Sequence, residues 1–159
     1  LRYEIKNHYE LIISNLPYNI SSQILVKLST MTLSPDTLIL MFQKEFAQRL
    51  LDKKLNSINS LIKCFYSIEL NFNVSKNCYR PIPKVDSSVL TFRKLKKELL
   101  NIEEINKYII FKRNLFSHKR KSLKNLLKKY DLNCKNDLNL RVEDLKLDEL
   151  ISIFRATSS

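Results

Sequence analysis

Asn15-Leu16-Pro17-Tyr18 are the residues of this chain best suited to chemistry. They follow directly on Leu11-Ile12-Ile13-Ser14, a short apolar run that reads as a buried strand. In open parallel sheets, ligands bind beyond the carboxyl ends of the strands. An Asn in that place offers an amide oxygen and an amide NH2 on a rigid support. Pro17 holds the residue before it extended, so the Leu16 carbonyl can point outward as a second acceptor. Tyr18 adds a flat ring on which a base can stack. Two acceptors side by side can take both hydrogens of an exocyclic amine, such as that of adenine. This draws the nitrogen toward tetrahedral geometry and frees its lone pair for attack. No general base is needed beforehand, because the product cation sheds its proton easily. The same four residues also make an ordinary strand-to-helix turn with a surface Tyr, and residue types alone leave both readings open.

A second constellation runs from Phe111 to Tyr130. It carries Lys112, Arg113, Lys119, Arg120, Lys121, Lys124, Lys128 and Lys129 with no acidic residue among them. On one helix, Arg120, Lys124 and Lys128 would share a face, with Leu123, Leu126, Leu127 and Tyr130 turned to the core. A one-sided basic helix suits phosphate contacts, which position a nucleic acid without reading its sequence. The alternative is a solvated face in a Lys-rich chain. Lys84 and Asp86 are spaced as an acid–base pair could be, but fixing their loop is the simpler role, and no carboxylate is assigned to catalysis. Glu103-Glu104 and Glu143-Asp144 read as first-turn helix charges.

The elements that must position these groups begin with strand, helix, strand, helix. After the Leu11 run, Ser21 or Ser22 can cap a helix through Leu25 and Leu28. Ser34-Pro35-Asp36 turns the chain, Thr37–Phe42 reads as a fully buried strand, and Lys44–Leu51 as a helix. That alternation predicts a parallel sheet covered by helices. Leu61–Tyr66 fits either helix or strand. Leu70–Val74 and Ser88–Phe92 alternate, as late strands at a sheet edge do. Tyr79-Arg80-Pro81-Ile82-Pro83-Lys84 between them is too proline-rich for regular structure. After Lys97 the texture becomes helical, with patterns over Ile102–Ser117, Arg120–Tyr130 and Val142–Phe154. We therefore divide the chain into residues 1–97 and 98–159.

Composition narrows the class. Of 159 residues, 44% are hydrophobic and 28% charged, enough apolar material for a core. The net charge of +12 makes nucleic acid the leading polyanionic partner. Part of the excess reflects a Lys-, Asn- and Ile-rich composition of the kind an AT-rich genome produces. No apolar run approaches the roughly 20 residues of a membrane span. Glycine is absent, so neither a G-x-G-x-x-G turn nor a P-loop can lie in these residues. Cys64, Cys78 and Cys134 form no C-x-x-C pair, and His8 and His118 lie far from any such pair, so no metal site is expected. An odd, scattered set of thiols fits a reducing, cytoplasmic compartment. The chain begins at Leu1 without an initiator Met, which suggests a piece of a longer protein.

Four blocks together resemble one family. They are Ile13-Ser14-Asn15-Leu16-Pro17-Tyr18-Asn19-Ile20-Ser21-Ser22, Gln43–Leu50, Tyr79–Val89 and Leu115–Asn125. In order and spacing they are similar to the small-subunit rRNA adenine dimethyltransferases, the kasugamycin-sensitivity family. The resemblance covers about residues 11–154. It implies an α/β fold: the second half of a class I, Rossmann-like S-adenosylmethionine-dependent methyltransferase sheet, followed by a small all-helical carboxy-terminal domain that binds rRNA. It further implies that Asn15 and Leu16 bind the target amine within the catalytic loop Asn15–Tyr18, and that Asn15 also faces the methionine end of S-adenosylmethionine. Tyr18 and Tyr79 would stack on the two faces of the adenine; Tyr79 stands where the family usually has Phe, or it simply packs against the proline loop. Lys119, Arg120, Lys121, Lys124 and Lys128 would contact rRNA of the pre-small ribosomal subunit, in a protein expected to be monomeric. The family's Gly-rich cofactor loop precedes everything present here, so these residues alone are not expected to methylate. Asn56-Ser57-Ile58-Asn59-Ser60 replaces a stretch that usually holds Gly, which puts that loop's shape in question. Two rivals share the N-x-P-Y loop or the fold: large-subunit methyltransferases of the macrolide-resistance type, and non-catalytic RNA-binding or assembly factors.

Overall fold

The computed structural model describes residues 7–118, 121–127 and 139–158. Four strands form one sheet in the order β1-β2-β4-β3: β1 Leu11–Asn15, β2 Thr37–Gln43, β3 Tyr66–Val74 and β4 Ser87–Lys94. β1 and β2 are parallel, joined over the helix α1 Ser21–Thr30. β4 lies between β2 and β3 and is antiparallel to both. The parallel pairing expected of the strand–helix–strand alternation holds for β1 and β2, whereas β4 is interior, where an edge position was expected. Burial follows from that place: Ser87, Ser88, Leu90, Thr91 and Phe92 are all buried.

Register assigns the faces, because paired residues share one side of a sheet. Ile12, Leu38 and Phe92 align across three strands, as do Ser14, Leu40 and Leu90. Leu38, Leu40, Phe42, Leu90 and Phe92 on this side are fully buried. Phe42 packs edge-on to Phe92 with centroids 6.0 Å apart, and tilted against Phe46 of α2 Lys44–Leu51 at 5.3 Å. The opposite side is partly open. Ile13 is 67% exposed and Phe72 57%, while Ile39 and Met41 are half-buried. β2 thus buries one face where the apolar run predicted two.

The ambiguous stretch resolves into α3 Asn59–Ile62, a short turn, and then β3 from Tyr66. α1 starts at Ser21 without a side-chain cap; the Ser21 hydroxyl instead donates back to the Tyr18 carbonyl at 3.1 Å. α4 Ile102–Phe116 ends one residue before expectation. At its start the Glu104 carboxylate accepts from the Asn101 N–H at 2.9 Å and from Arg155 at 2.8 Å, and the Arg155 contact holds its pKa below the usual carboxylate value. Of the Arg120–Tyr130 pattern, the described part is α5 Leu123–Leu126. Val142–Phe154 is not one helix. Val142–Asp144 forms a 3-10 turn, Leu145 is extended (φ −70°, ψ 150°) and buried, and α6 Leu147–Ser158 begins afresh where the Lys146 N–H meets the Glu149 carboxylate at 2.7 Å. Glu143 and Asp144 accordingly serve Lys54, at 3.5 and 3.1 Å, and do not start the long helix.

One continuous core runs from the sheet into the helices. Tyr108 and Phe154 pack edge to face at 5.2 Å beside Phe111, and the Tyr108 hydroxyl donates to the Ser60 carbonyl at 3.2 Å. The glycine-free loop before α3 is held by two carboxamides. Asn56 Oδ1 accepts from the Ile58 and Asn59 N–H groups at 3.1 and 3.0 Å. Asn59 Oδ1 takes the Asn56 N–H at 2.8 Å, and its Nδ2 reaches the Asp52 and Lys54 carbonyls. No described non-glycine residue has positive φ, so the loop closes without the conformation that glycine would supply.

Candidate functional site

A cleft of about 280 Å3 opens at the carboxyl end of β1. Asn15, Leu16, Pro17 and Tyr18 line one side, and Tyr79, Arg80, Pro81 and Pro83 the other. Residues more than sixty positions apart are thus brought face to face, and all five residues expected around a bound base border one cavity. Asn15 is exposed at the strand end, while Leu16 is 6% exposed and anchors its side chain in the core.

The turn after β1 uses its carbonyls selectively. The Ile20 N–H takes the Pro17 carbonyl at 3.2 Å and Ser21 takes that of Tyr18. Among the described residues no donor is bonded to the Leu16 carbonyl. An acceptor from the backbone and one from the Asn15 side chain therefore stand in successive residues at the mouth of the cleft, the arrangement a primary amine needs.

Both rings are fixed through their hydroxyls. Tyr18 Oη is hydrogen-bonded to Ser87 Oγ at the start of β4. Tyr79 Oη donates to Met41 Sδ at 3.1 Å, and Met41 is the register partner of Asn15. Sequence reasoning does not single out Met41 or Ser87; only strand pairing places them behind the cleft. Within the loop that carries Tyr79, the Arg80 guanidinium donates to the Tyr79 carbonyl at 3.1 Å and to the Asn77 carbonyl at 3.4 Å. Asp86 ties the two ends of the loop together by accepting from the Lys76 N–H at 3.0 Å.

The basic constellation divides. Lys121 and Lys124 are exposed on and before α5. Lys119, Arg120 and Lys128 lie outside the described residues. Lys112 departs from the expected solvated face: it is 7% exposed, and its Nζ donates to the Ser57 carbonyl and, at 3.2 Å, to Ser57 Oγ. Burial, reinforced by neighbouring Arg113, brings its pKa down to about 8. No group of three or more potential metal ligands occurs among the described residues, and no described helix is long and apolar enough to cross a membrane.

A family model described as ribosomal RNA adenine dimethylase matches residues 2–157. A ribosomal RNA small subunit methyltransferase A from Mycoplasma capricolum is 38% identical over 169 residues, covering 96% of this chain and 62% of that protein. One from Mycoplasma mycoides is 40% identical over 159 residues, covering 90% of this chain and 59% of that protein. The chain thus spans about three fifths of the length of these relatives. Among solved structures, a dimethyladenosine transferase from Plasmodium falciparum superposes with a TM-score of 0.80 at 21% identity, covering 98% of this chain and 70% of that one. The 23S rRNA methyltransferase ErmE superposes with a TM-score of 0.72 at 19% identity, covering 99% and 69%. These likenesses establish a Rossmann-like methyltransferase fold for the sheet.

Proposed function

The chain belongs to the ribosomal RNA adenine dimethylase family, and from that premise we propose the reaction of the whole protein. It transfers methyl groups from S-adenosylmethionine to the N6 amino groups of adenines near the 3′ end of small-subunit rRNA, during assembly of that subunit. The observation that carries this reading is the cleft in which Asn15–Tyr18 face Tyr79.

The Asn15 amide oxygen and the Leu16 carbonyl accept the two amine hydrogens and so expose the nitrogen lone pair. The rings of Tyr18 and Tyr79 hold the base between them, each worth roughly 1–3 kcal/mol of stacking. Pro17 keeps the Leu16 carbonyl presented, and the hydrophobic anchor of Leu16 fixes its height. When bound, S-adenosylmethionine supplies an electrophilic methyl group. Within these residues the exposed Asn15 carboxamide is the group able to meet its methionine end, and a glycine-lined cradle for the rest has no counterpart in a chain without glycine. Residues 1–97 form the second half of the catalytic domain. Residues 98–159 form a helical rRNA-binding unit in which Lys119, Arg120, Lys121, Lys124 and Lys128 touch phosphates. The protein works as a cytoplasmic monomer, and both described free thiols, Cys64 and Cys78, suit a reducing compartment.

Asn15→Ala in the intact protein tests the core of this reading. Methyl transfer to small ribosomal particles should fall by about 100-fold or more, the scale of losing one preorganised polar contact to the reacting group. Turnover at wild-type speed overturns it. Preferential methylation of free large-subunit rRNA would place the protein with the macrolide-resistance type instead.

A further inference from the structure

We infer that a second cleft, walled by Lys44, Lys76 and Lys84, holds backbone phosphates of the RNA strand on one side of the target nucleotide. The inference rests on the reading that the neighbouring cleft takes an RNA base. This second cleft measures about 390 Å3 and is lined by these lysines together with Gln43, Gln48 and Asp86, among others. The two cavities share a wall. Tyr79–Pro83 borders the base cleft, and the next residues of the same loop, Lys84–Asp86, border the lysine cleft. A nucleotide whose base enters the first cleft must leave its neighbouring sugar–phosphates outside it, and the lysine cleft is lined by the next residues of the same loop.

Asp86 gathers the three lysine-bearing segments. Its carboxylate accepts from the Lys76 N–H at 3.0 Å, its carbonyl accepts from the Lys44 N–H at 3.0 Å, and Lys84 lies two residues before it. These are backbone contacts, so the arrangement fixes where the lysines start while leaving their ammonium groups for another partner. None of the three joins an ion pair with a described residue, unlike Lys54 and Lys94. Glu45 and the Asp86 carboxylate on the same rim offset two of the three positive charges and leave the cleft net cationic. Amines on flexible stems bind phosphate as point charges. The amides of Gln43 and Gln48 can donate to phosphate or ribose oxygens. Together these groups suit a polyanionic strand in passage, positioned without readout of its sequence.

The test uses the full-length protein and a short fluorescein-labelled single-stranded RNA with a central adenine, followed by anisotropy across a salt series. Lys44→Gln/Lys76→Gln/Lys84→Gln should lower the slope of log affinity against log salt by about 2, from roughly 0.7 per phosphate released on a single strand. Glu45→Gln should tighten binding. A triple variant whose thermal melt matches wild type but whose salt slope is unchanged overturns the inference. So does a wild-type protein that does not bind the probe. Should the triple variant fail to fold, Lys84→Gln alone must lower the slope by about 0.7, and no change there is equally fatal. Asn15→Ala separates the two readings: it should lower turnover by about 100-fold or more while keeping the salt slope. If that variant methylates at full rate and the lysine variants still flatten the slope, the base-binding reading fails, and the lysine cleft remains a phosphate site without a target nucleotide assigned beside it.

Discussion

Tyr79 donates its hydroxyl to the sulfur of Met41 at 3.1 Å, and Met41 sits opposite Asn15 in the β1–β2 register. The ring on one side of the cleft is therefore braced against the strand next to the carboxamide on the other. Tyr18 is tied in the same manner to Ser87 at the start of β4. The two anchoring residues lie on β4 and β2, which are direct neighbours in the sheet.

This bracing predicts an order among aromatic variants. Tyr79→Ala and Tyr18→Ala should each weaken the protein's hold on adenine-containing RNA by roughly 1–3 kcal/mol, the stacking of one base. Tyr79→Phe should cost much less, because it keeps the ring and gives up only a contact to sulfur. RNA titrations of the three variants check it. Equal losses for Ala and Phe would show that the hydroxyl, not the ring, matters.

Asn59 is fully buried, and its carboxamide satisfies one N–H and two carbonyls of the loop before α3. Asn59→Ala strands those groups and should lower unfolding free energy by about 1–3 kcal/mol. A denaturant titration measures it. Replacement by Gly tests backbone relief separately: with no positive φ to relieve, Gly should not rescue the loss.

Lys112 gives a pH signature. Burial brings its folded pKa down to about 8 from 10.5, so between those values the unfolded chain binds more protons than the native one. Stability contributed through Lys112 therefore rises with pH across that window, by at most about 1.4 kcal/mol per unit. The Cys64 thiol, pushed up by burial to about 12 from 9.0, acts in the opposite direction above pH 9. Subtracting unfolding curves of Lys112→Met from wild type isolates the lysine. A difference flat from pH 8 to pH 10 would show that the amine stays charged in the fold.

Much of the candidate site was legible in the sequence because its chemistry is local. Asn15-Leu16-Pro17-Tyr18 is contiguous, the apolar run before it makes a strand, and Pro17 dictates the backbone of its neighbour. The absence of glycine excluded a phosphate-cradling turn without any coordinates. Helices α1, α2 and α4 were legible for the same reason: periodicity needs only near neighbours.

Tertiary structure decided what depends on pairing. Ser88–Phe92 alternates like an edge strand, yet β4 is interior, because strand order is set by which edges meet and leaves no mark within eight residues. Lys112 sits in a run of cations and looked solvated, but the loop at Ser57 covers it, a contact spanning 55 residues. Val142–Phe154 kept helical spacing through Leu145, whose burial in the core required an extended break. Periodicity reports which side of an element is apolar; it carries nothing about what that side meets.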